Sequence, residues 1–273
     1  MSETIRILLS EVPLDIAEGT SLFALQATHK PDADVIILNG APAAIDSELQ
    51  AGDAVVFIKR GETPSREELE ALMASRHTPG VHEKLRHATV GIAGVGGLGS
   101  AVAVALARIG VGTLIVADFD VVEPSNLNRQ QYFVDQLGLP KVVAMEENLQ
   151  RINPYVNVRT HLCRITPANM AELFGDVDVM VEAFDRADQK AMIATHFGKL
   201  FPNVPIVLAT GLAGHMPSNT IVTRKMGKSM VVVGDLETAA APGTGLMAPR
   251  VGVAAHHQAN AVLRIILGED PEG

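Results

Sequence analysis

The stretch from Thr89 to Asp120 restricts the possible folds of this chain more than any other. It opens with five strand-forming residues, Thr89-Val90-Gly91-Ile92-Ala93, and runs into Gly94-Val95-Gly96-Gly97-Leu98-Gly99. The periodic apolar run from Ser100 to Ile109 predicts a helix, which Gly110 ends. A second apolar strand, Thr113 to Ala117, closes on Asp118-Phe119-Asp120. Strand, glycine loop, helix and strand in this order predict a parallel sheet covered by helices. In such a unit Gly94 permits the tight turn, Gly96 lets the backbone approach a phosphate, and Gly99 lets the helix pack close to the strand. The helix start offers free N–H groups and positive dipole character to an anion. Asp118, at the end of the second strand, is placed to accept hydrogen bonds from ribose hydroxyls. The expected ligand is a nucleotide.

The next residues narrow the chemistry. A polar loop, Ser125-Asn126-Leu127-Asn128-Arg129-Gln130-Gln131, follows the second strand. An NAD-dependent oxidoreductase would use the glycine loop and Asp118 but would leave this loop idle. Pro140-Lys141-Val142 opens a helix running to Ile152, with Lys141 at its start, where an ammonium meets a bound phosphate. Arg151-Ile152-Asn153-Pro154 and Phe184-Asp185 follow in turn. In order and spacing, over roughly residues 75 to 268, these motifs resemble the ThiF/MoeB-type sulfur-carrier adenylyltransferases of the ubiquitin-activating superfamily, and the thiamine-pathway branch most of all.

The resemblance implies a Rossmann-like α/β fold, a mostly parallel sheet with helices on both faces. It implies an enzyme that uses ATP and Mg2+ to adenylate the C-terminal glycine carboxylate of a small Gly-Gly-ended sulfur-carrier protein. Gly94, Gly96, Gly97, Gly99 and Asp118 would bind the nucleotide. Asn126, Arg129 and Lys141 would hold phosphate oxygens, with Arg129 and Lys141 stabilising charge in the transition state. Asp185 would hold magnesium, although relatives follow this acid with asparagine and this chain has Arg186. By position, Arg76 matches an arginine that relatives extend into the ATP site of the partner subunit, so a homodimer is expected.

Ahead of this region, the first 61 residues predict a small separate β-grasp domain. Thr4–Leu9 and Val12–Ile16 read as a hairpin, and Pro13 confines the second strand to an edge. A helix over Thr20–Thr28, capped by Thr20 or Ser21, and strands at Val35–Leu38 and Ala54–Lys59 follow. The segments Ile37-Leu38-Asn39-Gly40 and Gln50 to Ile58 resemble the sulfur carriers of thiamine and molybdopterin synthesis. A working carrier ends in a free Gly-Gly carboxylate. Here the corresponding residues are Lys59-Arg60-Gly61-Glu62 and the chain continues, so the fused domain is expected to dock or stabilise rather than to serve as substrate. The expected organisation is therefore a carrier-like domain over 1–61, a linker helix and arm over 62–87, and an ATP-binding domain over 88–273.

Composition sets outer bounds. Of 273 residues, 22 are Lys or Arg and 31 Asp or Glu, a net charge of −9, which argues against nucleic acid and anionic membrane surfaces as partners. No apolar run is long enough to span a bilayer, no secretory leader is read, and the expected location is the cytoplasm. A single cysteine, Cys163, forbids an internal disulfide and the two CxxC pairs with which many relatives hold zinc, so no zinc is expected. The region Thr210–Pro249, where some relatives carry a reactive cysteine, has none, so the reaction is expected to stop at the acyl adenylate and Cys163 to be an ordinary buried thiol.

Beyond the motifs, strands are expected at Val156–His161, Asp176–Glu182 and Ile206–Ala209, with an antiparallel pair at Ser218–Arg224 and Ser229–Val233. Helices are expected at Thr166–Phe174, Asp188–Leu200 and Arg250–Leu267, and a mobile Ala/Gly/Thr-rich loop at Asp235–Ala248. Two alternatives to carrier adenylation remain beside the oxidoreductase. One is a non-catalytic nucleotide-binding protein. The other is an adenylating enzyme with a different target: the molybdopterin carrier, a peptide antibiotic precursor or a modified tRNA base.

Overall fold

The structure is a computed structural model and describes residues 3–272. The chain divides into two compact units, Met1–Gly80 and Val81–Gly273.

The first unit is a β-grasp. Strands β1 (Thr4–Leu9) and β2 (Val12–Ala17) form an antiparallel hairpin, helix α1 (Leu22–His29) crosses the sheet, and β3 (Val35–Leu38), β4 (Ala41–Pro42) and β5 (Ala54–Ile58) complete it. The strand order is β2-β1-β5-β3-β4, with β1 and β5 parallel. Pro13 sits on the edge strand, where its missing N–H costs no ladder bond. Ser21 caps α1 by accepting from the Ala24 N–H. Ile7, Leu22, Leu25, Leu49, Val55 and Phe57 form the core. Helix α2 (Arg66–Ala74), capped by Ser65, belongs to this unit, and Ser10 donates to Glu68 on it.

The second unit opens with a short helix, α3 (Val81–Leu85), which the sequence reading did not anticipate. Its sheet contains β6 (Thr89–Ala93), β7 (Thr113–Asp118), β8 (Asn157–Leu162), β9 (Val179–Glu182), β10 (Ile206–Ala209), β11 (Val222–Lys225) and β12 (Met230–Gly234). The order is β11-β12-β10-β9-β6-β7-β8, and every pairing is parallel except β11 with β12. From β6 the chain builds outward through β7 to β8, then returns to the other side of β6 for β9 and β10. The order therefore reverses between β6 and β9, and a crevice opens at the carboxyl ends of those strands.

Helices α4 (Gly97–Arg108) and α5 (Lys141–Ile152), with the long C-terminal α9 (Ala248–Leu267), share one core with Val90, Ile92, Leu114 and Val116. On the opposite face lie α6 (Met170–Phe174) and α7 (Ala187–Met192), which passes through a π-helical turn, Ile193–Phe197, into α8 (Gly198–Leu200). Ala93, Ile115, Phe174, Met180, Ile193 and Phe197 form that second core. Two cores on two faces explain why the central strands are apolar throughout rather than alternating. The helix expected over Asp188–Leu200 is thus one rod with a π-helical turn within it.

The antiparallel pair is shorter than expected, because Ser218–Thr220 forms a 3-10 turn ahead of β11. No helix among the described residues is long and apolar enough to cross a membrane.

Candidate functional site

The crevice holds a cavity of about 530 Å³. Its wall includes Gly94, Gly96, Gly97, Asp118, Arg129, Lys141 and Asp185, residues spread over nearly a hundred positions of sequence.

The glycine loop is built to fine tolerance. Gly94 has a φ of +87°, and a Cβ there would meet Ala183 O at 3.2 Å. At Gly99 a Cβ would stand 1.9 Å from Gly94 O, so only hydrogen fits between helix α4 and the loop. At Gly96 the nearest atom is 3.9 Å away, which leaves that backbone open to the cavity. Asp118 is buried and secures the loop: one carboxylate oxygen accepts from the Val95 N–H at 2.8 Å, the other from the Asp120 N–H at 2.9 Å. The Tyr132 hydroxyl donates to Val95 O at 2.7 Å, and burial, with Asp118 and Asp120 nearby, drives its pKa far up, so it stays a donor.

The cationic side of the cavity comes from the loop after β7. Arg129 is half-buried, and its guanidinium donates to Asn128 Oδ1 at 2.7 Å and Ser125 O at 3.3 Å. Lys141, the first residue of α5, is 8% exposed at its side chain and pairs with the half-exposed Asp120 at 3.0 Å. Asn126 does not line the cavity. It is buried, and its Oδ1 accepts from the Glu123 N–H at 3.1 Å, which shapes the turn that carries Arg129.

Asp185 follows β9, is exposed, and carries no hydrogen bond or ion pair among the described residues. Helix α7 is capped at Arg186 without a side-chain bond, so Asp185 does not cap it, and Arg186, which also lines the cavity, pairs with Asp188 at 2.9 Å. No group of three or more His, Cys, Asp or Glu among the described residues could hold a metal unaided. A cation at Asp185 would therefore take one protein carboxylate and complete its shell with phosphate oxygens and water, as Mg2+ does in nucleotide sites. Arg76 belongs to the first unit, exposed just beyond α2.

Several cavity residues were missed by sequence reasoning. Cys163 lines the wall and is only half-buried, rather than a buried core thiol; burial, and Glu172 to a lesser degree, raises its pKa and keeps it protonated. Beside it the Arg164 guanidinium lies 4.1 Å from the centre of the Phe119 ring. Lys190 lines the cavity at 22% exposure and pairs with Glu182, which is fully buried. One signal was present, an acid ending the otherwise apolar strand Val179-Met180-Val181-Glu182.

The segment expected to be a loose loop after β12 is anchored at its start. Asp235 accepts from the Thr238 hydroxyl and N–H, the Glu237 N–H and the buried Arg250. Burial opposes ionisation of Asp235, but these donors outweigh it and lower its pKa from 3.8 to about 2. Because the folded value lies below the unfolded one, the contribution to stability is complete above about pH 4 and is lost as the pH falls through about 2. It is worth roughly 2 kcal/mol. Asp235→Asn is expected to be less stable at neutral pH and to lose less stability than the parent between pH 4 and 2. Denaturant unfolding at stepped pH measures this, and parallel curves would refute it.

Fold and site together define a Rossmann-type α/β protein in which a glycine loop and a cationic loop line one crevice. The ThiF family profile matches residues 70–273, and the chain belongs to that family. A ThiS-like ubiquitin profile matches residues 5–61. The chain is 35% identical over 123 residues to Ubiquitin-like modifier-activating enzyme 5 of Caenorhabditis elegans, covering 41% of this chain and 29% of that protein. It is 38% identical over 104 residues to the Mycobacterium tuberculosis protein named Probable adenylyltransferase/sulfurtransferase MoeZ, covering 38% and 26%. The matches thus span under a third of each relative. Among solved structures, E. coli tRNA N6-threonylcarbamoyladenosine dehydratase in complex with AMP superimposes with a TM-score of 0.66 at 22% identity, over 76% of this chain and 98% of that one. The same protein in complex with ATP gives 0.63 at 24%. These likenesses carry the fold.

Proposed function

We propose that this protein adenylates the C-terminal glycine carboxylate of a separate small sulfur-carrier protein, using ATP with Mg2+ and releasing pyrophosphate, with the thiamine-pathway carrier as the preferred substrate. The observation that carries the reading is the convergence of Arg129, Lys141 and Asp185 on one cavity with the glycine loop. A carboxylate and a triphosphate are both anions, so the protein's task is to neutralise charge and align the reactants. A carboxylate oxygen of the carrier bonds to the α-phosphorus. The bond from that phosphorus to the bridging oxygen breaks, and the electron pair leaves with pyrophosphate. No general base is needed, because the carboxylate is ionised at neutral pH. The glycine loop and the start of α4 bind the nucleotide, Asp118 meets the ribose, and Arg129 and Lys141 hold phosphate oxygens. Asp185 would hold magnesium, which when bound would supply further charge neutralisation. Asn126 acts through the turn it shapes. In a homodimer, Arg76 of a second copy would add a cation.

The geometry at the end of the β-grasp supports a carrier supplied in trans. Arg60 N–H donates to Asp34 Oδ2 at 2.7 Å, Lys59 pairs with the same carboxylate at 3.6 Å, and Lys30 pairs with Glu62 at 3.1 Å. The segment that would be a flexible tail in a carrier is tied into a turn and continues as peptide.

ATP–pyrophosphate exchange with magnesium, with and without an added Gly-Gly-ended carrier, tests the reading. Exchange is expected only with the carrier. Exchange without it would point to another carboxylate, and no exchange in protein that binds ATP would favour a non-catalytic role.

A further inference from the structure

The strand next to the crevice carries a charge that the proposed chemistry does not use. Glu182 ends β9 in the middle of the sheet at 0% exposure. A charge pair whose carboxylate is fully buried is weak as a source of stability, because desolvation offsets the attraction, so its presence at the switch point calls for another explanation. The contacts supply one. Lys190, on α7, donates to Glu182 Oε1 at 3.0 Å, to Oε2 at 3.1 Å and to Ala209 O at 2.9 Å. An ammonium has three N–H donors, so Lys190 is saturated even though it lines the cavity at 22% exposure, and it has no donor left for a phosphate. Glu182 Oε1 also accepts from the Phe184 N–H at 2.7 Å, one residue before Asp185. From the other side, Gln258 of α9 donates to Glu182 O at 3.0 Å.

We infer that the Glu182–Lys190 pair is a positioning device. It joins the Phe184–Asp185 turn, α7 and the end of β10 into one rigid rim, and so sets the Asp185 carboxylate where a magnesium-bound polyphosphate meets it. The pair touches no ligand itself. Its effect falls on the magnesium-dependent part of nucleotide binding, because the carboxylate that secures the glycine loop is Asp118, which bonds the Val95 and Asp120 N–H groups and neither Glu182 nor Lys190. The inference rests on the magnesium–ATP reading above.

Titration calorimetry of the full chain with a non-hydrolysable ATP analogue, in excess magnesium and then in EDTA, tests it. Glu182→Gln is expected to weaken binding tenfold or more in magnesium and less than threefold in EDTA. Should that variant fail to fold, the neutral double variant Glu182→Gln with Lys190→Gln carries the test. It buries no unpaired charge, yet an amide has two N–H donors where the ammonium has three, so the magnesium-specific loss persists. Equal losses in both conditions would reduce the pair to a fold element, and wild-type binding by the folded double variant would overturn the inference outright. A wild type whose affinity ignores magnesium would instead refute the Asp185 reading beneath it.

Discussion

Lys141→Ala and Arg129→Ala are each expected to lower carrier-dependent ATP–pyrophosphate exchange by on the order of a hundredfold or more, the usual cost of removing one donor aimed at developing charge. The lysine is expected to be the more severe of the two. Lys141 is paired with Asp120 at 3.0 Å, and Asp120 is half-exposed beside the cavity. Without the ammonium, that carboxylate faces the polyphosphate as an uncompensated anion. Arg129 leaves no such partner, since it donates to a neutral carboxamide and a backbone carbonyl. Folding should survive in both, because neither side chain belongs to a hydrophobic core. Initial-rate exchange, with circular dichroism as a control, separates these effects. Near-normal exchange in both variants would sink the assignment of the cationic side of the site.

The second large effect is expected to divide two glycines three residues apart in the same motif, Gly96 and Gly99. Gly99→Ala places a methyl 1.9 Å from Gly94 O, where neither the loop nor α4 can yield cheaply. It should lower the melting temperature by several degrees and weaken nucleotide binding at least tenfold. Gly96→Ala meets nothing closer than 3.9 Å in the protein, so it should melt like the parent while still losing nucleotide affinity, because the methyl occupies the space a phosphate needs. Thermal shift measured with and without ATP distinguishes them. A Gly96→Ala protein that binds ATP normally would refute phosphate binding at this loop.

Much of this arrangement was legible in the chain because its determinants are local. Gly94 and Gly99 announce a strand–turn–helix whose geometry only glycine permits, and Gly96 lies open between them. Ser21 and Ser65 mark helix starts through their own side chains. Pro13 marks an edge strand by the N–H it lacks. Asp118 could be named as a candidate from its strand end, and Arg129, Lys141 and Asp185 from the family resemblance of the motifs that carry them; all four line one cavity. Asn126 was expected among the phosphate ligands from the same resemblance, and the structure places it outside the cavity lining, buried in the turn that carries Arg129. A carboxamide serves a turn or a ligand equally well from sequence, and in the fold the Asn126 Oδ1 serves the turn by accepting from the Glu123 N–H.

What the chain determined by itself was the order of its elements and the chemistry carried at each strand end, since periodicity, capping and glycine geometry act over a few residues. The three-dimensional fold alone decided which strand ends become neighbours. It brought Glu182 to Lys190 and Ala209, Asp235 to Arg250, and Cys163 and Arg164 to the cavity wall. Those contacts cross from one element to another, and a buried charge finds its partner by sheet order rather than by spacing. No local rule links Glu182 to Ala209, 27 residues on; the parallel pairing of β9 with β10 does.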